Sequence, residues 1–244
     1  MGRSSNDKNN KKKNARILCI SDTHVPYHHP DTWDFLDAVR KKYKPTRVVH
    51  LGDEVDLHAI SDHSHDPDLD SPGTELQQTR REIQPLFDLF PQVDVLESNH
   101  GSRVYRAAVK FGLSREYFRT YSEILDAPPG WVWHDSLLLR LPDGNNVVFY
   151  HGISKDITKV VKERGLCVVQ GHFHTEFRVA YVGTPMRLLW GMAVGCSIDK
   201  HALAFAYDKL TLSRPVVGHG IILDGHPQLL PMVLGRGGKW IGKL

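Results

Sequence analysis

Five short apolar runs, each leading into aspartate, asparagine or histidine, constrain this chain more than any other feature. RILCIS (16–21) leads to Asp22 and His24, RVVHLG (47–52) to Asp53, and VDVLES (93–98) to Asn99 and His100. NVVFY (146–150) leads to His151, and CVVQG (167–171) to His172 and His174. Runs this short, rich in valine and isoleucine and bounded by turn-forming residues, read as buried strands rather than helices. In α/β sheets, ligands and catalytic groups collect at the carboxyl ends of strands, where loops converge over one crevice.

Taken alone, an aspartate after a strand is usually a turn or cap residue. A lone histidine at a strand end is more often a satisfied or solvated ring than a ligand. In GHFHT the two histidines alternate, so on an extended segment they point the same way. The ordered conjunction of five strand ends carrying only Asp, Asn and His reads as a metal site. Oxygen and imidazole donors without thiolate suit Mn²⁺, Fe, Zn²⁺ or Ni²⁺. Seven protein ligands exceed what one ion with open positions can use. Two ions sharing a carboxylate accommodate them, and such a pair can hold both a nucleophile and a phosphoryl oxygen.

Between these runs the chain alternates. A helix is expected from Asp31 to about Tyr43, with Trp33, Leu36, Val39 and Tyr43 at helical spacing, and a second from an N-cap at Thr74, carrying Leu76, Ile83, Phe87 and Phe90, with a possible kink at Pro85. Further helices are expected over about 102–111, 114–125 and 155–163. SLLLRL and NVVFY flank the turn signal PDGN and suggest a hairpin. Later runs at 177–182, 187–194, 216–223 and 229–234 read as strands. Alternating strand and helix followed by mostly strands predicts an α/β sandwich.

Charge excludes little: the net formal charge is +3, and Lys8, Lys11, Lys12, Lys13 and Arg16 crowd the first sixteen residues. Residues 1–15 are expected to be a disordered basic leader, 16–235 one domain, and 236–244 a loose C-terminal tail. No window approaches the roughly 18 apolar residues of a membrane span, and a cytoplasmic protein is expected. Cys19, Cys167 and Cys196 sit in apolar contexts, as buried reduced thiols do.

The ordered set SDTH, GDEVD, SNH, HG and GHFH, over residues 21–174, resembles the calcineurin-like metallophosphoesterase superfamily, whose pattern is D-x-H, G-D-x-x-D, G-N-H-[DE], a later His and G-H-x-H. The resemblance implies an αββα sandwich of two mixed β-sheets flanked by helices, with a dinuclear metal site. Residue by residue, it implies one metal held by Asp22, His24 and His174, a second by Asn99, His151 and His172, and Asp53 bridging. Mn²⁺ is the favoured pair, with Fe, Zn²⁺ and Ni²⁺ as alternatives. His100 would serve near the leaving-group oxygen as general acid or transition-state stabiliser while a metal-bound hydroxide attacks. Two positions depart from the pattern: Ser98 replaces the glycine before Asn-His, and Gly101 the acid after it, which leaves the support of His100 open. Asp56, at the end of GDEVD, is expected to cap or bond loop amides rather than touch metal.

Substrate choice falls to loops. Arg103, Arg106 and Lys110 recur on one helical face, either a solvated surface or phosphate contacts; Arg103 and Arg106 are the candidate substrate-binding residues. Residues 57–73 are a candidate lip over the site. Tyr27, His28 and His29 offer an aromatic for stacking on a base, or are solvated. Three functions compete. The first is a phosphodiesterase or nuclease acting on nucleic acid or nucleotide. The second is a phosphomonoesterase such as a Ser/Thr protein phosphatase, and the third a non-catalytic scaffold. The chain lacks the arginine that the protein phosphatase branch carries after GDxxD, since GDEVD is followed by Leu57, and this tilts the reading toward diesters.

Overall fold

The computed structural model describes residues 15–61, 68–199, 202 and 214–244. The leader therefore lies outside the described residues except for Ala15, as does the middle of the expected lip, 62–67.

The N-terminal half alternates as expected. Strand β1 (Arg16–Ile20) is followed by α1 (Thr32–Tyr43), β2 (Arg47–His50), α2 (Pro72–Leu89) and β3 (Val93–Leu96). Then come α3 (Arg103–Lys110), α4 (Tyr121–Ile124) and β4 (Trp131–His134). The second half supplies β5 (Leu137–Arg140), β6 (Asn146–Tyr150), α5 (Ile157–Arg164) and β7 (Cys167–Gln170). It closes with β8 (Arg178–Gly183), β9 (Leu188–Ala193), β10 (Gly218–Leu223) and β11 (His226–Pro231).

These strands form two mixed sheets, ordered β11-β10-β1-β2-β3-β4 and β5-β6-β7-β9-β8. The four strands β1 to β4 run parallel, so the ends of β1, β2 and β3 emerge on one edge. In the second sheet β6 and β7 are parallel too, bringing His151 and the His172 loop out together. Alternation along β1 assigns the layers: Ile17 and Cys19 pack toward the second sheet, while Leu18 and Ile20 pack under α1 and α2. Helix α5 covers the outer face of the second sheet through Ile157, Val160 and Val161. The result is the expected αββα sandwich, whose fully buried aliphatic side chains each contribute about 1.5–3 kcal/mol.

Several local expectations are corrected. Helix α2 starts at Pro72 because Ser71, not Thr74, is the N-cap, accepting from the Thr74 amide at 3.2 Å. Pro85 lies on its exposed face, and the helix continues through it. The helix expected over 114–125 is a 3₁₀ turn (Arg115–Tyr117) followed by the short α4, because the Thr120 and Glu123 capping box starts a new helix there. Strand β4 was not anticipated; Trp131 anchors it edge-on to Phe87 at 4.7 Å and donates from Nε1 to the Phe90 carbonyl at 2.9 Å.

The segment after residue 235 is not a loose tail. The Trp240 amide donates to Asp31 Oδ2 at 2.8 Å, its ring meets Phe35 edge-on, and the Gly238 carbonyl pairs with His29 Nε2 at 2.8 Å. An aromatic able to cover the exposed side of α1 docks the segment there. That contact also commits His29, and His28 packs on Trp33 at 4.5 Å, so these two histidines serve the fold rather than a ligand. No described helix is long and apolar enough to cross a membrane, and all three cysteines are free and buried.

Candidate metal centre

All seven predicted ligands converge. Asp22 Oδ1 and His174 Nε2 stand 3.1 Å apart, and His174 Nε2 and His24 Nε2 stand 3.2 Å apart. A second cluster places His151 Nε2 at 2.8 Å from Asn99 Oδ1 and 3.1 Å from His172 Nδ1. Asp53 Oδ2 sits between them, 3.2 Å from His151 Nε2 and 3.7 Å from His24 Nε2.

Hydrogen bonds on the far sides of the rings determine what these atoms offer. His24 Nδ1 lies 2.9 Å from Asp56 Oδ2, and His151 Nδ1 lies 2.8 Å from the Leu51 carbonyl. Both partners are acceptors, so each ring donates from Nδ1 and turns an Nε2 lone pair inward. Lone pairs and carboxylate oxygens packed this closely repel unless a positive charge lies among them. The protonation equilibria show the same demand. Burial alone would discharge His24, yet the Asp22 and Asp56 carboxylates push it up to about 10; His151, likewise opposed by burial, is raised to about 9 by Asp53. Asp22 and Asp53 are held below the usual carboxylate range by the histidines around them, which outweigh burial. Hard oxygen and imidazole donors around a shared carboxylate fit two divalent cations.

The backbone is shaped for this convergence. Asp22, His24, Asp53 and His172 have φ of 51°, 48°, 52° and 68°, a left-handed conformation that costs an L-residue about 1–2 kcal/mol and concentrates at functional sites. Two glycines permit the close approach of the strand ends. At Gly52, φ +98°, a Cβ would lie 2.6 Å from Ser98 Cβ and 2.9 Å from His151 Nδ1. At Gly171 it would land on Ser21 Oγ and 2.5 Å from Asp22 Oδ2.

Three residues differ from their sequence expectations. Among the described residues the Asp56 carboxylate meets side chains rather than loop amides. It accepts from His24 Nδ1 and from Arg103 Nη1, the latter at 3.0 Å, and so orients a ligand. Arg103 is buried rather than extended toward solvent: Nη1 donates to the Asp56 carbonyl at 2.6 Å, and Nη2 faces His100 Nε2 at 3.1 Å. His100 thus donates from Nδ1 to the Asp56 carbonyl at 2.7 Å and accepts from Arg103 at Nε2. The support that Gly101 cannot give His100 comes from Asp56 and Arg103.

Arg106 is exposed and donates to the Asn99 carbonyl at 2.8 Å. With Arg103, Lys110, Asn99 and Ser61 it lines a groove of about 240 Å³, to which Arg106 and Lys110 bring exposed side chains while Arg103 is turned inward. Sequence reasoning missed the other side of the loop. Trp133 of β4 donates to Glu54 Oε1 at 3.2 Å, and burial pushes Glu54 up to about 7. The acid beside Asp53 was visible in GDEVD, but its partner lies in the strand that went unpredicted.

The chain belongs to the calcineurin-like phosphoesterase family, whose model matches residues 15–178. No curated protein sequence matches it significantly. Among solved structures it is similar to the Vps29 single mutant D62A from Entamoeba histolytica, at 12% identity and TM-score 0.43, covering 88% of this chain and 96% of that one. Vacuolar Protein Sorting 29 from Cryptosporidium parvum is similar at 12% identity and TM-score 0.42, with 88% and 95% covered. Chaetomium thermophilum Vps29 is similar at 10% identity and TM-score 0.45, with 93% of each chain covered.

Proposed function

We propose that this protein hydrolyses phosphate esters with two divalent cations, and that its substrates are diesters. The observation that carries the first part is the convergence of inward lone pairs on Asp53 Oδ2 from both histidine clusters. Asp22, His24 and His174 would hold one cation, Asn99, His151 and His172 the other, with Asp53 shared. When bound, such a pair supplies an acidified water at neutral pH and positive charge for a phosphoryl oxygen.

The chain's own residues do the rest. Asp56 fixes the His24 tautomer, and Leu51 fixes that of His151. His100 and Arg103 form one hydrogen-bonded unit beside Asn99. Its guanidinium, held by Asp56, stabilises negative charge developing on a departing oxygen. His100 Nε2, with its lone pair directed at Arg103, positions that guanidinium.

The diester preference rests on how the flanking arginines are used. Arg103 commits Nη1 to Asp56 and turns Nη2 to His100, which leaves it no free pair of parallel N–H groups on that side, and Arg106 donates to the Asn99 carbonyl. A dianionic monoester calls for a bidentate arginine clamp, whereas a monoanionic diester needs less. With Mn²⁺ supplied, bis-p-nitrophenyl phosphate is expected to be hydrolysed faster than p-nitrophenyl phosphate. The reverse ranking would make the protein a monoesterase, and failure to hydrolyse either with any of Mn²⁺, Fe²⁺, Zn²⁺ or Ni²⁺ would favour a scaffold.

A further inference from the structure

Helix α3 contributes to two separate cavities, one reached by Asn99 and the other by Gly101 and Ser102 of the same loop. One is the basic groove. The other is a cleft of about 340 Å³ lined by Tyr105, Phe118, Tyr121 and Trp133, with Arg115 and Arg119 as its cations, Glu97 as its one acid, and Gly101 and Ser102 in its wall. Its volume lies in the range that encloses a small organic ligand. Gly101 matters to its shape, since a Cβ there would already stand 3.4 Å from the Tyr121 ring.

The chain that lines the cleft also carries exposed aromatics: Phe118, in the lining, is 37% exposed, and its sequence neighbours Phe111 and Tyr117 are 83% and 79% exposed. Cations are interleaved with them in the sequence: Arg106, Lys110, Arg115 and Arg119 alternate with Tyr105, Phe111, Tyr117, Phe118 and Tyr121, against one acid, Glu116, over residues 103–121. The Arg115 guanidinium lies 3.9 Å from the centre of the Tyr105 ring, holding that aromatic wall in place. Aromatic faces alternating with cations suit a ligand of flat rings joined by monoanionic phosphates. They suit neither a phosphoprotein, which lacks repeated rings, nor a duplex, whose rings are paired and stacked.

We infer that the segment from Arg103 to Tyr121 binds single-stranded nucleic acid, with one unpaired base held in the Tyr105–Phe118–Tyr121 cleft and phosphates running along the α3 cations toward Asn99. This deepens the phosphodiesterase reading and rests on it for the fate of the strand, but the binding itself requires no metal.

The test is therefore made on the metal-free full chain, by fluorescence anisotropy with a labelled short oligothymidylate and an abasic oligomer of equal length. Stacking of one base on an aromatic platform predicts that the oligothymidylate binds roughly 5- to 150-fold tighter. Phe118→Ala and Tyr105→Ala should each erase most of that difference, with unchanged circular dichroism confirming the fold. Tyr181→Ala, exposed on the second sheet, should preserve it. Equal affinity for base-bearing and abasic strands would overturn the inference, as would retention of the difference in both cleft variants. Thymidine monophosphate binding as tightly as the oligomer would overturn the strand assignment. Failure of bis-p-nitrophenyl phosphate hydrolysis alongside intact base-dependent binding would sink the phosphodiesterase reading alone.

Discussion

His24 and His151 in the crevice and His50 and His219 in the core behind it are all largely buried, yet they titrate in opposite directions. Burial lowers all four. In the crevice the carboxylates of Asp22, Asp53 and Asp56 overturn it, whereas in the core the pull of Asp22 and Asp53 on His50, and of Asp22 on His219, is outweighed by burial. His50 therefore falls to about 3, through burial and then the neighbouring His219, and His219 falls to about 4 through burial. His50 is satisfied as a neutral ring: its Nδ1 accepts from the Gly52 amide at 3.2 Å, and its Nε2 meets Thr23 Oγ1 at 3.2 Å. The residue type is the same, and His50 lies only three positions before Asp53. Carboxylates facing the ring, rather than burial or sequence neighbourhood, separate a ligand from a core residue.

The largest expected effect breaks the crevice side of this comparison. Asp53→Ala should lose both metals, measured by elemental analysis, and bring hydrolysis to background. His100→Ala should keep both metals while losing activity, and metal loss there would contradict its placement beside the cluster rather than in it.

Acid stability tests the core side. Above pH 6.5 His50 and His219 are neutral in both folded and unfolded chains and contribute no pH dependence. Below it the unfolded chain takes up protons that the fold refuses, so stability is lost as pH falls from about 6.5 toward 4. The loss over that range is up to about 3 kcal/mol per histidine. Urea melts across that range measure it, and His219→Gln should flatten the slope. A slope unchanged in that variant would assign acid sensitivity elsewhere.

A smaller effect is expected from Asp56→Ala, which leaves the ligands in place but frees the His24 ring. Metal affinity should weaken by about 10- to 100-fold, read by competition with a chelating dye. The smallest concerns the metals of His219→Gln, which should remain fully bound; a drop would mean that the core histidine communicates with the crevice.

Much of this was legible in sequence because strand ends are local. RILCI, RVVH and CVVQ announce themselves by β-branched runs, and the residues that follow must lie on one edge if the strands are parallel. The convergence of these side chains could be read for that reason. What escaped depends on contacts between distant segments. WVWH reads as a strand only once β3 and Phe87 are beside it. Asp56 looked like a cap because nothing nearby in sequence shows that His24 and Arg103 approach it. Arg103 lay on the right helical face, but spacing cannot tell a guanidinium turned outward from one recruited by a buried carboxylate. The 236–244 segment is rich in glycine and looked loose, and contacts with a segment some two hundred residues earlier, Trp240 with Phe35 and Asp31 and Gly238 with His29, dock it.

One strand pairing bears on how the chain is made. The central strand β1 has β2 on one side, but its other neighbour is β10, with Leu18 opposite Ile221. At a translation rate of about 5–20 residues per second, the ribosome takes roughly 10 to 40 s to deliver that partner. By the end of that interval the nascent chain carries all the candidate ligand loops while the inner strand β1 still has an open edge. The first sheet is thus completed only from the far end of the chain, and truncation within β10 should leave a chain with all seven proposed ligands and a sticky sheet.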